Sequence, residues 1–157
     1  MVSSPICSER ETVEAVAEIA STVNEMLLAN HLLKIGDSET RVLVLNNLLE
    51  LFKATIYRQT MFAEFEKNMV LDSKAGKILT SDYLCQSYYD LVSKYFGNNV
   101  IIDEEIKYEW ARVPHFYYNF YVYKYATGLS IASYIVSEIL NGNEEMLKNY
   151  RNFLKIG

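Results

Sequence analysis

Val13, Val16, Ala20, Val23 and Leu27 recur at spacings of three and four, the period at which side chains fall on one face of an α-helix. This pattern predicts a helix over residues 9–35. Gly36 then offers a stop, and Asp37 or Ser38 can cap the next helix by accepting hydrogen bonds from its first N–H groups. From there the apolar pattern continues to about residue 69, which predicts one long helix. Leu43, Leu45, Leu48, Leu49, Leu51 and Phe52 place apolar groups on more than one of its sides, so its first half is expected to be buried between neighbours.

Residues 70–80 (VLDSKAGKILT) read as a connector. Thr80 or Ser81 caps a third helix that ends at Gly97-Asn98-Asn99. Residues 99–102 form a short extended stretch. Asp103 opens a short helix, DEEIKYEW, with its acids in the first turn where the helix dipole favours them. Pro114 breaks that pattern. A long helix is predicted over 115–140, ended by Asn141-Gly142, and a last one over 143–155. No repeat or flexible linker interrupts the series. The expected fold is all-α, one multi-helix domain spanning residues 1–157.

Composition agrees with this. Gly and Pro number only 6 and 2 in 157 residues, too few for the many tight turns of a β-barrel or sandwich. Cys7 and Cys85 cannot build a disulfide framework and read as reduced, inert thiols. No apolar run is long enough to span a membrane, and the start, MVSSPICSER, lacks the features of a secretory signal. A net charge of -5 argues against a nucleic-acid partner. The expected setting is cytoplasmic.

Two constellations could carry chemistry. On the first helix, Glu11, Glu14, Glu18 and Glu25 lie on one side. They read either as a solvated acidic stripe or as a metal ligand with a supporting carboxylate. The second lies within residues 109–128, in a chain with 13 tyrosines, six of them between Tyr108 and Tyr125. On a helix beginning near His115, a turn of about 100° per residue brings Tyr118, Tyr121, Val122 and Tyr125 within roughly 120° of it. This reads either as an aromatic core stripe or as a face of neutral donors suited to an oxyanion or a peptide carbonyl. His31 reads as a partly buried structural histidine, and Arg58 and Arg112 as ion-pair partners.

The stretches AEIASTVNE (17–25), ATIYRQTMFAEFE (54–66), TSDYLCQSYYDLVSKYFG (80–97) and YEWARVPHFYYNFYVYKYATG (108–128) resemble the C-terminal catalytic region of oligoendopeptidase F, a thimet-like zinc oligopeptidase. The resemblance implies a zinc-dependent metalloendopeptidase that hydrolyses short peptides. It implies zinc held by two histidines of an H-E-x-x-H motif and by the Glu of an E-x-A-S-T block, which falls on Glu18. Glu25 would support that ligand. His115 and a tyrosine of its face would donate to the scissile carbonyl; of Tyr118, Tyr121 and Tyr125, the first two are favoured as donors, with Tyr125 binding substrate. The glutamate of H-E-x-x-H would act as general base.

No H-E-x-x-H occurs in the sequence, so two zinc ligands and the base are missing. Residues 1–12 are also atypical for the family. The expectation is a fragment of a catalytic domain, inactive alone, whose partners are an oligopeptide in the complete enzyme and either the missing half or a second copy. The alternative is a non-catalytic helical module that binds peptide or dimerises.

Overall fold

In a computed structural model the backbone is described for residues 5–118 and 120–156, and the side chains for 16–118 and 120–155. Cys7, Glu11, Val13 and Glu14 therefore have side chains outside the described residues. The described chain is all-α and contains no strand: α1 Pro5–Ile35, α2 Ser38–Phe52, α3 Arg58–Lys74, α4 Ser81–Phe96, α5 Tyr123–Leu140 and α6 Glu144–Ile156. A π-helical segment, Lys53–Tyr57, joins α2 to α3, and two 3₁₀ segments, Glu104–Arg112 and Pro114–Tyr118, lie between α4 and α5. No described helix is long and apolar enough to cross a membrane.

The helix ends follow local chemistry. Asp37 accepts the Thr40 N–H at 2.8 Å, Thr80 the Tyr83 N–H at 3.2 Å, and Asn143 the Met146 N–H at 3.0 Å. Gly36 sits between α1 and α2 because a Cβ there would lie 2.7 Å from the Leu32 carbonyl oxygen. Gly97 ends α4 with φ 70°, a left-handed conformation that a side chain would strain.

The chain divides into two compact units. The first comprises residues 1–56 and 124–157. Its core takes Val23 and Met26 from α1, Leu129, Ala132 and Val136 from α5, and Tyr150 from α6. Burying Val23, Met26, Leu129 and Val136 contributes about 1.5–3 kcal/mol each, more than a typical cap. The Tyr150 hydroxyl lies 3.0 Å from both the Ala20 carbonyl and the Asn24 side-chain oxygen, so its polar end is satisfied.

The second unit comprises residues 57–123. Phe65, Tyr88 and Val122 are fully buried at its centre, with Met61, Phe62, Leu91, Val92 and Val113 around them. Phe65 meets Tyr88 edge to face, centroids 5.2 Å apart. Cys85 is buried, and its sulfur receives the Trp110 indole N–H at 3.4 Å.

Four expectations are corrected. The long helix predicted over 38–69 runs unbroken through the π segment, but it continues to Lys74, into the stretch expected to be a connector. No residue of α2 is buried; Leu43 is 60% and Leu49 70% exposed. α1 packs along α2, where Val44, Leu48 and Leu51 are half-buried at spacings of four and three, and Leu51 also reaches the core of the first unit. His31 is exposed rather than partly buried.

The fourth correction matters most for function. Residues 115–140 do not form one helix. Pro114–Tyr118 is a 3₁₀ turn, Phe120 takes φ 56°, and α5 begins at Tyr123. The core explains the break. It takes up Phe116 and Val122, six residues apart, which on a straight helix would point about 120° away from each other. A corner at Phe120 lets both reach the same core.

Candidate functional site

The segment from Val113 to Val122 is held from inside and open on the outside. Val113 and Val122 are buried, and Phe116 packs against Phe62 and Phe65 at centroid distances of 5.5 and 5.6 Å. These anchors leave Tyr117 and Tyr118 exposed between them. His115 and Tyr121 are half-buried, and Tyr118 is 62% exposed. The His115 imidazole stacks on the Tyr121 ring with centroids 5.8 Å apart and planes 16° from parallel. Tyr118 lies 6.2 Å from Tyr121. One imidazole and two phenols thus share a small open surface, and all can donate a hydrogen bond while neutral.

Two buried carboxylates support this segment. Glu109 closes the 3₁₀ turn that leads into it. Its Oε1 is paired with both Arg58 and Arg112, the latter at 2.9 Å, and its Oε2 accepts the Tyr88 hydroxyl at 2.6 Å. The ion-pair role expected of the two arginines is what the structure shows. Burial alone would push the Glu109 carboxyl up, but Tyr88, Arg112 and Arg58 outweigh it and hold it below the usual carboxylate range. Glu66, on α3, is 5% exposed and accepts the Phe120 N–H at 2.5 Å. Its Oε2 has no hydrogen-bond partner, and burial pushes its carboxyl up against the pull of that N–H.

In the first unit, Glu18 is half-buried on α1. It lines a small cleft of about 150 Å³ with Ser21, Thr22, Thr55, Tyr125 and Gly128. Thr55 comes from the π segment, a helix irregularity often found at functional sites. Glu25 is exposed and lines a different groove, with Leu28, Leu32 and Leu48. The structure therefore brings together His115, Tyr118 and Tyr121 in one unit, and Glu18 and Tyr125 in the other. The helical face that grouped Tyr125 with His115 lapses with the helix itself.

Zinc needs three or four protein ligands. Among the described residues no group of three or more His, Cys, Asp or Glu is placed to hold a metal ion. The donors present do not by themselves fit a zinc site; Glu18 offers one carboxylate.

A profile of peptidase family M3 matches residues 4–157. The chain belongs to this family. Oligopeptidase PepF of Bacillus subtilis is 50% identical over 143 residues, covering 90% of this chain and 21% of that protein. Group B oligopeptidase PepB of Streptococcus agalactiae is 49% identical over 143 residues, again 90% of this chain and 24% of that protein. The crystal structure of oligoendopeptidase-F from Enterococcus faecium superposes with a TM-score of 0.86 at 50% identity, covering 91% of this chain and 28% of that one. The chain thus spans less than a third of the length of these relatives, and it shares the helical fold of the Enterococcus faecium structure where the two superpose.

Sequence reasoning missed Glu66, Tyr88 and Glu109. Glu66 had a readable signal: with Met61, Phe62, Phe65 and Met69 it lies on the apolar stripe of α3, an acid where hydrocarbon is expected. Glu64, two residues earlier, instead reaches Lys94 and Tyr95 at 2.6 and 2.8 Å. Glu109 had no such signal, because the partners that make it stable come from α3, α4 and its own 3₁₀ turn.

Proposed function

We propose that this chain provides the carbonyl-binding part of an oligopeptidase active site. The observation that carries the reading is the His115–Tyr121 stack, with Tyr118 beside it, on an outward-facing segment braced by buried anchors. A substrate carbonyl gains negative charge on its oxygen as the peptide bond is attacked. Preorganised neutral donors stabilise that charge more than they stabilise the ground state, which is what lowers the barrier. One of Tyr118 and Tyr121 supplies an O–H group and His115 a ring N–H, and stacking limits the rotation of His115. Tyr125, in the Glu18 cleft, binds substrate.

In this reading Glu18 is one carboxylate ligand of a zinc ion whose other donors, and the general base, come from an H-E-x-x-H segment outside this sequence. Held by that complete donor set, the ion would supply Lewis-acid chemistry at the site. Glu25, two turns along α1, supports the orientation of that region. The substrate is a short peptide, and the setting is the cytoplasm. Alone, the chain does not turn over.

The test is cleavage of a quenched oligopeptide by the chain alone, by a polypeptide carrying the H-E-x-x-H half of a close M3 relative, and by the two mixed. Activity that appears only on mixing, and falls with His115→Ala, supports the reading. Mixed activity indifferent to His115, Tyr118 and Tyr121 defeats it.

A second reading rests on α2. Val42, Leu45 and Leu49, at spacings of three and four, are exposed on one face of a helix with no buried residue, an apolar surface that suits association with a second copy of the chain. Sedimentation of the isolated chain across a concentration series tests it.

A further inference from the structure

Phe120 has φ 56°, a left-handed conformation that is uncommon for a residue with a Cβ and strained for a bulky one. Such a conformation persists only when its surroundings over-determine it. Apolar packing fixes the flanks of this corner through Phe116 and Val122. At the corner itself, the Phe120 N–H is directed to Glu66 Oε1. Glu66 is 5% exposed, and its other oxygen lacks a partner. A buried carboxyl with one unsatisfied oxygen is a costly way to complete a helix face lined by Met61, Phe62 and Phe65. A methionine or leucine there would pack without that cost, but it could not accept a backbone N–H.

We propose that Glu66 is a positioning residue: its bond to Phe120 N–H holds the left-handed corner that sets Tyr121 against His115. It touches no substrate. It acts through the backbone of the residue next to Tyr121, so that the stacked pair exists before a ligand arrives. The inference bears on the carbonyl-binding reading, since it names what preorganises that surface. The bond and its consequence for the ring stack stand without peptide turnover.

The reach of the side chain gives the discriminating variants. Glu66→Gln keeps a carbonyl oxygen at the same distance along the side chain. Glu66→Asp keeps the carboxylate but withdraws it by one methylene. Glu66→Ala removes the acceptor. Amide-resolved NMR of the whole chain reads two quantities: exchange of the Phe120 amide proton, and the ring-current displacement of the His115 ring protons by Tyr121.

In Glu66→Asp and Glu66→Ala the Phe120 amide is expected to exchange about two- to tenfold faster, the equivalent of one lost hydrogen bond. The His115 protons are expected to move toward their unstacked positions. Glu66→Gln is expected to restore both. A purely space-filling role for Glu66 would leave the Phe120 amide and the His115 shifts of folded Glu66→Asp where they are in the parent chain, and that result overturns the proposal. Should Glu66→Ala not fold, the Asp and Gln pair decides alone. Loss of the stack in Glu66→Gln as well as Glu66→Asp also overturns it. Failure of the mixed chains to cleave peptide would count against the oligopeptidase reading and leave these shifts unaffected.

Discussion

The Tyr88 hydroxyl donates to Glu109 Oε2 over 2.6 Å with both side chains buried, so a phenol on α4 completes a carboxylate on the 3₁₀ turn that precedes His115. The same carboxylate receives Arg58 and Arg112 on its other oxygen. Removing one partner of such a group leaves a desolvated acceptor behind, which costs more than the bond itself contributed.

Tyr88→Phe should therefore destabilise the second unit by about 1–3 kcal/mol, measured by urea unfolding at neutral pH. Its effect should depend on pH in a definite direction. Glu109 is held below its ordinary value of 4.5, so its stabilisation is present above that value and is lost as pH falls through the depressed one. Without the Tyr88 hydroxyl the depression shrinks, and the stability gained between strongly acid and neutral pH shrinks with it. An identical pH profile in parent and variant would contradict this assignment.

Glu66 should give the opposite slope. Burial raises its carboxyl above 4.5, against the Phe120 N–H, so its contribution is present at low pH and is lost as pH rises through the raised value. Urea midpoints taken from mildly acid to mildly alkaline pH should fall less steeply in Glu66→Gln than in the parent chain. The comparison concerns the slope, because the glutamine amide has its own unpaired donor and can shift stability uniformly.

Most of the helices were legible because their information is local. Asp37 and Thr80 are caps that act within one turn, and α1 carries its apolar period in consecutive turns. The aromatic segment was legible in content but not in shape. His115, Tyr118 and Tyr121 do meet, yet the helix expected to align them is absent. The bend at Phe120 is set by Phe116 and Val122 reaching one core and by Glu66 arriving from another helix. Those are tertiary facts with no counterpart in a 3.6-residue period. The expected burial of α2 failed for a related reason: its apolar sides outnumber the neighbours that cover them.

The exposed side of α2 leads to a prediction about association. The isolated chain should sediment as larger species with rising concentration, because Val42, Leu45 and Leu49 lie on one face that gains by leaving water. Val42→Glu with Leu49→Glu should reduce this association while moving the urea midpoint little, since substitutions at such exposed positions usually fall within about 0.5 kcal/mol. A chain that is monomeric throughout, with or without the two substitutions, would rule out α2 as a self-association surface.

The two tyrosines beside His115 can be separated by removing one oxygen at a time. Tyr121→Phe keeps the ring that stacks on His115 at 5.8 Å, and Tyr118→Phe changes a side chain that is 62% exposed. Neither change should disturb packing much, so a change in rate in the mixed-chain assay reports the lost hydroxyl. Loss of a donor to a developing oxyanion typically lowers kcat by about 10²–10³-fold. The tyrosine that contacts the carbonyl oxygen should show that loss in kcat with KM little changed, because the interaction strengthens only as charge develops. The other should show a small effect, mainly in KM. His115→Ala should lower kcat too, and should also free the Tyr121 ring, so its loss should exceed that of Tyr121→Phe. Parent-like rates in both phenylalanine variants would remove the phenols from the carbonyl-binding role and leave His115 as its sole donor among the three.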